Sequence, residues 1–216
     1  MIKAVIFDLD GVIVSTDHYH YLAWKQLADE LGIYFDEKIN EGLRGVSRKE
    51  SLDIILKNSN KLFSESEKIE FLTRKNNYYL ELIKNLSSED VSIEVRKVLD
   101  YLASKNIKKA IGSSSKNAVK ILNYIGLLNE FDVIVDGNMI KYSKPDPEVF
   151  VLAAKMLNEN KDNCLVVEDA IAGVDASYNG GIRALSISSA YEYEKSTYTM
   201  KELSAEKFIK IIEGER

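Results

Sequence analysis

The spacing of the short apolar runs is the feature that most limits how this chain can fold. Such runs, too short for buried helices and typical of buried strands, occur at 2–7, 107–112, 132–135, 164–167 and 182–187. Between the later runs lie helical patterns, carried by Val95, Val98, Leu99 and Leu102 and by Val149, Leu152, Ala153 and Met156. This alternation predicts an α/β fold with a Rossmann-like parallel sheet core covered by helices.

The first two apolar runs are separated by roughly a hundred residues, far more than one crossover helix needs. Within this interval apolar residues recur at helical spacing, as in Tyr21, Trp24, Leu27, Ala28 and Leu31. Residues 47–57 and 65–85 contain further helical patterns and no strand-like alternation. We therefore predict an inserted all-helical cap domain at 15–88 and an α/β core domain formed by 1–14 and 89–216.

Composition excludes some classes of protein. The apolar start is interrupted by Asp8 and Asp10, and no apolar run approaches the roughly 18 residues that cross a bilayer. We therefore expect a cytoplasmic protein without membrane contact. We also expect it to be a monomer that binds a small-molecule sugar phosphate. The net charge of −5 argues against a nucleic-acid partner. The single cysteine, Cys164, lies in an apolar run, which favours a buried structural thiol.

Polar residues follow four of the predicted core segments. These residues are Asp8 and Asp10, the run from Ser113 to Asn117, Lys144 before Pro145, and the pair Glu168 and Asp169. Ligands of open parallel sheets bind at the carboxyl ends of the strands, so we expect these groups to converge on one crevice.

The two acidic pairs together indicate a metal site. Taken alone, Asp8 and Asp10 beside Gly11 could simply form a turn. Two clusters of carboxylates repel each other unless a hard cation lies between them, and Mg²⁺ prefers oxygen ligands. Lys144 would add a second positive charge, although a surface lysine beside a turn is the alternative. The serines at 113–115 are candidates to cap the following helix and to bind an anion there.

Four segments resemble the motifs of the haloacid dehalogenase superfamily: FDLDG, the later SSS, SKPDP at 143–147 and VVEDAIAG at 166–173. The resemblance covers essentially the whole chain. It implies that Asp8 is the covalent nucleophile and Asp10 the general acid and base. It also implies that Ser113 and Lys144 position the phosphoryl group. The implied Mg²⁺ ligands are Asp8, the main-chain carbonyl of Asp10, Glu168 and Asp169.

The predicted cap resembles that of the β-phosphoglucomutase branch of this superfamily. The matching residues are His20, Trp24, the segment Gly45-Val46-Ser47-Arg48, Ser51 and the segment Arg74-Lys75-Asn76. The resemblance implies that a phosphate distal to the transferred one is held by Arg48, Ser115, Lys116 and Asn117. It implies that Lys75, Ser51 and His20 face the sugar or support Asp10, and it places Trp24 and Gly45 on the substrate side. Ser15 and Ser114 depart from the usual pattern of the branch.

Each cap residue also has a purely structural interpretation. Trp24 lies on the apolar stripe of its helix, so packing between helices is the more common role for it. His20 could lie on a helix surface, and Arg48 and Lys75 occur in charge-rich stretches where most basic side chains are solvated.

The resemblance implies a β-phosphoglucomutase that interconverts β-D-glucose 1-phosphate and glucose 6-phosphate through an aspartyl phosphate and a 1,6-bisphosphate. A sugar-phosphate or phosphoglycolate-type phosphatase of the same superfamily is the alternative, because fold-level similarity does not exclude it. A receiver-like phosphate-sensing module fits less well, since such modules are shorter and lack an inserted helical cap.

Overall fold

A computed structural model describes residues 1–43 and 47–214 of the chain. The chain divides into two compact units, one formed by Met1–Ser15 with Leu86–Arg216 and the other by Thr16–Asn85. In the part of the chain that is described, no helix is long and apolar enough to cross a membrane.

The elements alternate along the chain as the apolar runs predict. The strands are β1 (Ala4–Phe7), β2 (Lys108–Gly112), β3 (Val133–Val135), β4 (Cys164–Glu168), β5 (Arg183–Ser186) and β6 (Tyr198–Thr199). The helices are α1 (Asp17–Leu31), α2 (Glu37–Glu41), α3 (Arg48–Leu56), α4 (Glu65–Leu82), α5 (Ile93–Ser104), α6 (Ala118–Tyr124), α7 (Glu148–Met156), α8 (Ile171–Asn179) and α9 (Ala205–Glu213). Short 3₁₀ turns join several of them.

The first unit is built on a parallel sheet with the strand order β3-β2-β1-β4-β5-β6. This confirms the predicted α/β class. Strand β1 lies inside the sheet, between β2 and β4, and all four of its residues are buried. Strand β6 was not predicted, because two residues carry no periodic pattern; it pairs in parallel with β5.

Helices α5 and α7 cover the sheet largely as their apolar spacing predicts. The four predicted positions of α5 are all buried. In α7, Val149 and Ala153 are buried, whereas Met156, the last residue of the helix, is exposed. Phe150 of α7 packs where a β-carbon at Gly112 would approach its ring to 2.7 Å. Cys164 is buried, and burial raises the pKa of its thiol to about 11, in agreement with a structural role.

The second unit has helices as its regular elements within the described residues, joined by short loops. Helices α3 and α4 each begin at a capping box, formed by Ser47 with Glu50 and by Ser64 with Glu67. Helix α1 ends at Gly32, whose φ of 68° suits glycine. The unit has its own apolar core, made of Trp24, Leu27, Ala28, Ile33, Phe35, Leu43, Leu52, Ile55, Leu56 and Phe71. This core lets the inserted segment fold as a compact body.

Candidate active site

The pairing of β1 with β4 brings two acidic residues together. Phe7 lies opposite Val167 in the parallel register, and the backbone N–H of Asp8 donates to the carbonyl of Val167 at 3.0 Å. Asp8 and Glu168 therefore leave neighbouring strands at the same end of the sheet. Both are buried. They are 160 positions apart in the sequence, and the direct parallel pairing of β1 with β4, from Ala4 opposite Cys164 to Phe7 opposite Val167, brings them together.

Lys144 lies between these two carboxylates. Its Nζ donates to Oδ1 of Asp8 and, at 2.8 Å, to Oε2 of Glu168. The side chain is 10% exposed, so this is a buried ion pair rather than a surface lysine. Burial alone would lower the pKa of Lys144, but the charges of Asp8 and Glu168 raise it above its ordinary value. Lys144 is therefore held as a cation.

Asp8, Glu168 and Asp169 form an acidic cluster whose carboxylate oxygens lie within 4.8 Å of one another. Burial, followed by the charges of Glu168 and Asp8, raises the pKa of Asp169 to about 8. Burial likewise raises the pKa of Glu168, although Lys144 opposes the shift. A divalent cation would remove this repulsion, and three carboxylates are the oxygen donors that Mg²⁺ takes. The residues therefore fit the predicted metal.

Two glycines allow the acidic cluster to be this compact. A β-carbon on Gly11, which has a φ of +82°, would lie 2.1 Å from Oδ2 of Asp169. A β-carbon on Gly173 would lie 2.0 Å from Oε2 of Glu168. Both distances are far below van der Waals contact, so each glycine leaves the space that one carboxylate occupies.

The acidic loop after β4 is held by hydrogen bonds that the sequence analysis missed. Oε1 of Glu168 accepts from the backbone N–H groups of Asp169, at 3.1 Å, and Ala170, at 3.0 Å. The carbonyl of Asp169 accepts from the hydroxyl of Ser189 at 2.5 Å and from the N–H of Ala190 at 2.9 Å. No motif marks Ser189 or Ala190, because their role depends on where the segment after β5 returns.

The serine loop after β2 is stabilised by its own side chains. Ser113 accepts from the N–H of Ser115 at 3.1 Å, and Ser115 accepts from that of Asn117 at 3.2 Å. The prediction that one of the serines at 113–115 caps α6 was wrong: Asn117 occupies the N-cap position, and it does so without a side-chain cap bond. The serines instead close two successive turns. In this loop Asn117 is buried and Lys116 is exposed.

Ser114 differs from its neighbours in this loop. Its Oγ is buried and has no hydrogen-bond partner within the described residues. A buried hydroxyl without a partner is costly, so the side chain of Ser114 contributes less to the stability of this loop than those of Ser113 and Ser115. The departure noted at Ser114 therefore has a structural consequence.

The helical unit brings several of the predicted cap residues together. Nζ of Lys75 lies 2.7 Å from Nδ1 of His20, and Lys75 and Ser51 are buried. Arg48 is partly buried, and burial lowers the pKa of its guanidinium. Trp24 is part of the apolar core of this unit, and Lys75 faces its ring at 4.7 Å. Gly45 lies outside the described residues.

Comparison with known proteins settles the family. The sequence model of the haloacid dehalogenase-like hydrolases matches residues 2–181. The chain belongs to this family. The match contains Asp8, Glu168 and Asp169, which the pairing of β1 with β4 brings together, and Lys144, which contacts two of them from the loop after β3.

Curated relatives and solved structures include both mutases and phosphatases. The chain is 43% identical over 187 residues to the β-phosphoglucomutase of Bacillus subtilis, covering 86% of this chain and 83% of that protein. It is 32% identical to a phosphorylated carbohydrates phosphatase of Thermotoga maritima, covering 85% and 83%. The crystal structure of β-phosphoglucomutase from Clostridium difficile superposes with a TM-score of 0.90 at 43% identity, covering 99% of this chain and 96% of that one.

Proposed function

We propose that this protein is a β-phosphoglucomutase that interconverts β-D-glucose 1-phosphate and glucose 6-phosphate. The observation that carries the proposal is the 43% identity to the Bacillus subtilis mutase over most of both chains. The reaction type is supported by the position of Asp8, a buried carboxylate that accepts from the cationic Lys144 beside two further carboxylates. Such an arrangement suits the transfer of a phosphoryl group to and from a carboxylate.

In the proposed reaction, an oxygen of Asp8 attacks the phosphorus of the 1,6-bisphosphate, and the bond from phosphorus to the sugar oxygen breaks. Asp10 gives a proton to the leaving hydroxyl, and it takes one from the attacking hydroxyl when the phosphoryl group returns to the sugar. Lys144 and Ser113 would hold the phosphoryl oxygens. Bound Mg²⁺ would neutralise charge on those oxygens, with Asp8, the carbonyl of Asp10, Glu168 and Asp169 as its ligands.

We assign the remaining predicted residues to recognition of the sugar and the distal phosphate. The helical unit would act as the cap, with Arg48 on the distal phosphate and His20, Ser51 and Lys75 toward the sugar. Ser115, Lys116 and Asn117 would complete the phosphate site, and Trp24 and Gly45 would support the sugar side. The monomeric state and the cytoplasmic location stay predictions.

A sugar-phosphate phosphatase is the second candidate. The relative named as a phosphorylated carbohydrates phosphatase, at 32% identity, favours it. The same covalent chemistry on Asp8 would serve both enzymes, and they would differ only in whether water or a sugar hydroxyl accepts the phosphoryl group.

The deciding assay supplies β-glucose 1-phosphate, Mg²⁺ and a trace of the 1,6-bisphosphate, and follows glucose 6-phosphate and free phosphate in parallel. Rapid formation of glucose 6-phosphate supports the mutase, whereas stoichiometric free phosphate without isomerisation supports the phosphatase. Asp8→Asn should abolish either activity, and Asp10→Asn should slow it by roughly 10²–10⁴-fold. Asp162→Asn is the matched control, because Asp162 is exposed and precedes β4, at the opposite end of that strand from Glu168.

A further inference from the structure

Tyr79 is a residue of the helical unit that no motif marks. It lies on α4 and is only 1% exposed. Its ring stacks on the imidazole of His20, with the ring centroids 4.1 Å apart and the planes inclined by 21°. Its hydroxyl donates to Oγ1 of Thr16 at 3.0 Å. Tyr79 is therefore held at both ends, by a ring contact and by a buried hydrogen bond.

The hydrogen bond to Thr16 connects Tyr79 to the start of the helix that carries His20. Thr16 is fully buried, it occupies the N-cap position of α1, and its carbonyl accepts from the N–H of His20 at 3.0 Å. Tyr79 thus contacts the start of α1 at two residues one helical turn apart, Thr16 through its hydroxyl and His20 through its ring. A phenylalanine would keep the ring contact and lose the second anchor.

Lys75 completes the group around His20. Its Nζ lies 4.9 Å from the centre of the Tyr79 ring and 2.7 Å from Nδ1 of His20. An ammonium group has three donors and no acceptor, so this contact requires an unprotonated Nδ1. His20 is then neutral and carries its proton on Nε2.

The charges around His20 agree with a neutral imidazole. Burial lowers the pKa of His20 well below its usual value, and the positive charges of Lys75 and Arg48 lower it further. Lys75 and Tyr79 face the ring from α4, and Arg48 acts on it from α3. A second proton on the ring would add a third positive charge to this group.

We propose that Tyr79 is a positioning residue, whose ring fixes the imidazole of His20 in the orientation that meets the ammonium of Lys75. Its catalytic consequence rests on the proposed function, since His20 and Lys75 serve the sugar only if the protein is a sugar phosphate enzyme. The geometric part is independent of any activity. Loss of the ring should free the imidazole, expose it to water and weaken its contact with Lys75.

The test compares Tyr79→Leu with Tyr78→Leu, the same change one residue earlier on α4. Tyr78 is only partly buried, and its hydroxyl donates to Glu30 at 2.8 Å. The tautomer and the pKa of His20 are followed by ¹⁵N nuclear magnetic resonance, with His18, the other of the two histidines, as an internal reference. In Tyr79→Leu the pKa of His20 should rise, because desolvation decreases, and its Nε2–H tautomer should lose its dominance.

Tyr78→Leu should leave the His20 signals as in the wild type, and Tyr79→Phe should keep the low pKa because the ring remains. If Tyr79→Leu does not fold, as judged by circular dichroism, Tyr79→Met takes its place, because methionine adapts to irregular space. An unchanged pKa and tautomer in a folded Tyr79→Leu or Tyr79→Met protein would overturn the proposal. So would an equal change in Tyr78→Leu.

The activity readout separates this proposal from the proposed function. With β-glucose 1-phosphate, kcat/KM of Tyr79→Leu should fall by about 10- to 100-fold, as for other misplaced positioning groups, whereas Tyr78→Leu should keep its activity. If the wild type does not isomerise the sugar phosphate, the proposed function fails, and the resonance comparison still decides the role of Tyr79. A shifted His20 with unchanged kcat/KM would overturn the catalytic part alone.

Discussion

Gly173→Ala should destabilise the protein, although the same substitution usually stabilises a helix. Gly173 lies inside α8, where alanine normally stabilises a helix by about 1 kcal/mol relative to glycine. Here the added β-carbon would lie 2.0 Å from Oε2 of Glu168. Glu168 is 1% exposed, and its carboxylate accepts from Lys144, Asp169 and Ala170. The carboxylate therefore cannot move aside without breaking hydrogen bonds.

The size of the change in unfolding free energy follows from two costs, overpacking and a lost hydrogen bond, set against the gain in helix propensity. Overpacking of a buried site costs about 1–3 kcal/mol. Loss of one hydrogen bond to a charged acceptor adds about 1.5–3 kcal/mol. After the helix-propensity gain, the free energy of unfolding should fall by about 2–4 kcal/mol, and Tm by about 5–15 °C for a chain of this size. Displacement of Glu168 should also weaken binding of the metal by about 10- to 100-fold.

The assay measures Tm without metal and the affinity for Mn²⁺ by electron paramagnetic resonance. Gly42→Ala is the matched control, because Gly42 ends α2 with a φ of −70° and its β-carbon would meet only a carbonyl at 3.4 Å. Gly42→Ala should have the same Tm and the same Mn²⁺ affinity as the wild type. A Gly173→Ala protein with the Tm and the Mn²⁺ affinity of the wild type would refute the claim that this glycine makes room for Glu168.

Three further predictions concern single charges and hydroxyls. Lys144→Met should destabilise the metal-free protein by about 3–5 kcal/mol, because the buried carboxylates of Asp8 and Glu168 lose their cationic partner. Added Mg²⁺ should then raise the Tm of this variant more than it raises the Tm of the wild type. An equal rise in the two proteins would contradict this prediction. Ser114→Ala should raise the free energy of unfolding by up to about 1 kcal/mol, since the hydroxyl has no partner among residues 1–43 and 47–214; a Tm below that of the wild type would contradict this. The hydrogen bond from Lys195 lowers the pKa of Asp175 in the folded protein. The ionised carboxylate therefore stabilises the fold at a pH above the pKa of Asp175 in the unfolded chain, and this stabilisation is lost as the pH falls through the pKa in the folded protein. Asp175→Asn should therefore cost up to about 1 kcal/mol in urea unfolding at pH ~7 and nothing at pH ~2, and a constant difference would contradict the pair.

The strands and the site at their ends could be predicted from the sequence because both depend on local order. Buried parallel strands need short continuous apolar runs, and the ligand edge of such a sheet lies where those runs stop. Asp8, Glu168 and Asp169 lie at or directly after the ends of two such runs, and the pairing of β1 with β4 brings them together. Lys144 reaches them from the loop between β3 and α7. The start and end of each strand differ from the predicted runs by at most two residues, since propensity does not mark where pairing stops.

The sequence by itself determined the fold class and which polar residues follow the strands, whereas the tertiary structure decided which other residues contact and support them. Strand β6, the bonds from Ser189 and Ala190 to Asp169, and the stacking of Tyr79 on His20 depend on contacts between segments far apart in the chain. Such contacts leave no periodic or compositional signal. The same is true of the space at Gly11 and Gly173, because a glycine in sequence does not say which carboxylate will occupy the place of its missing side chain.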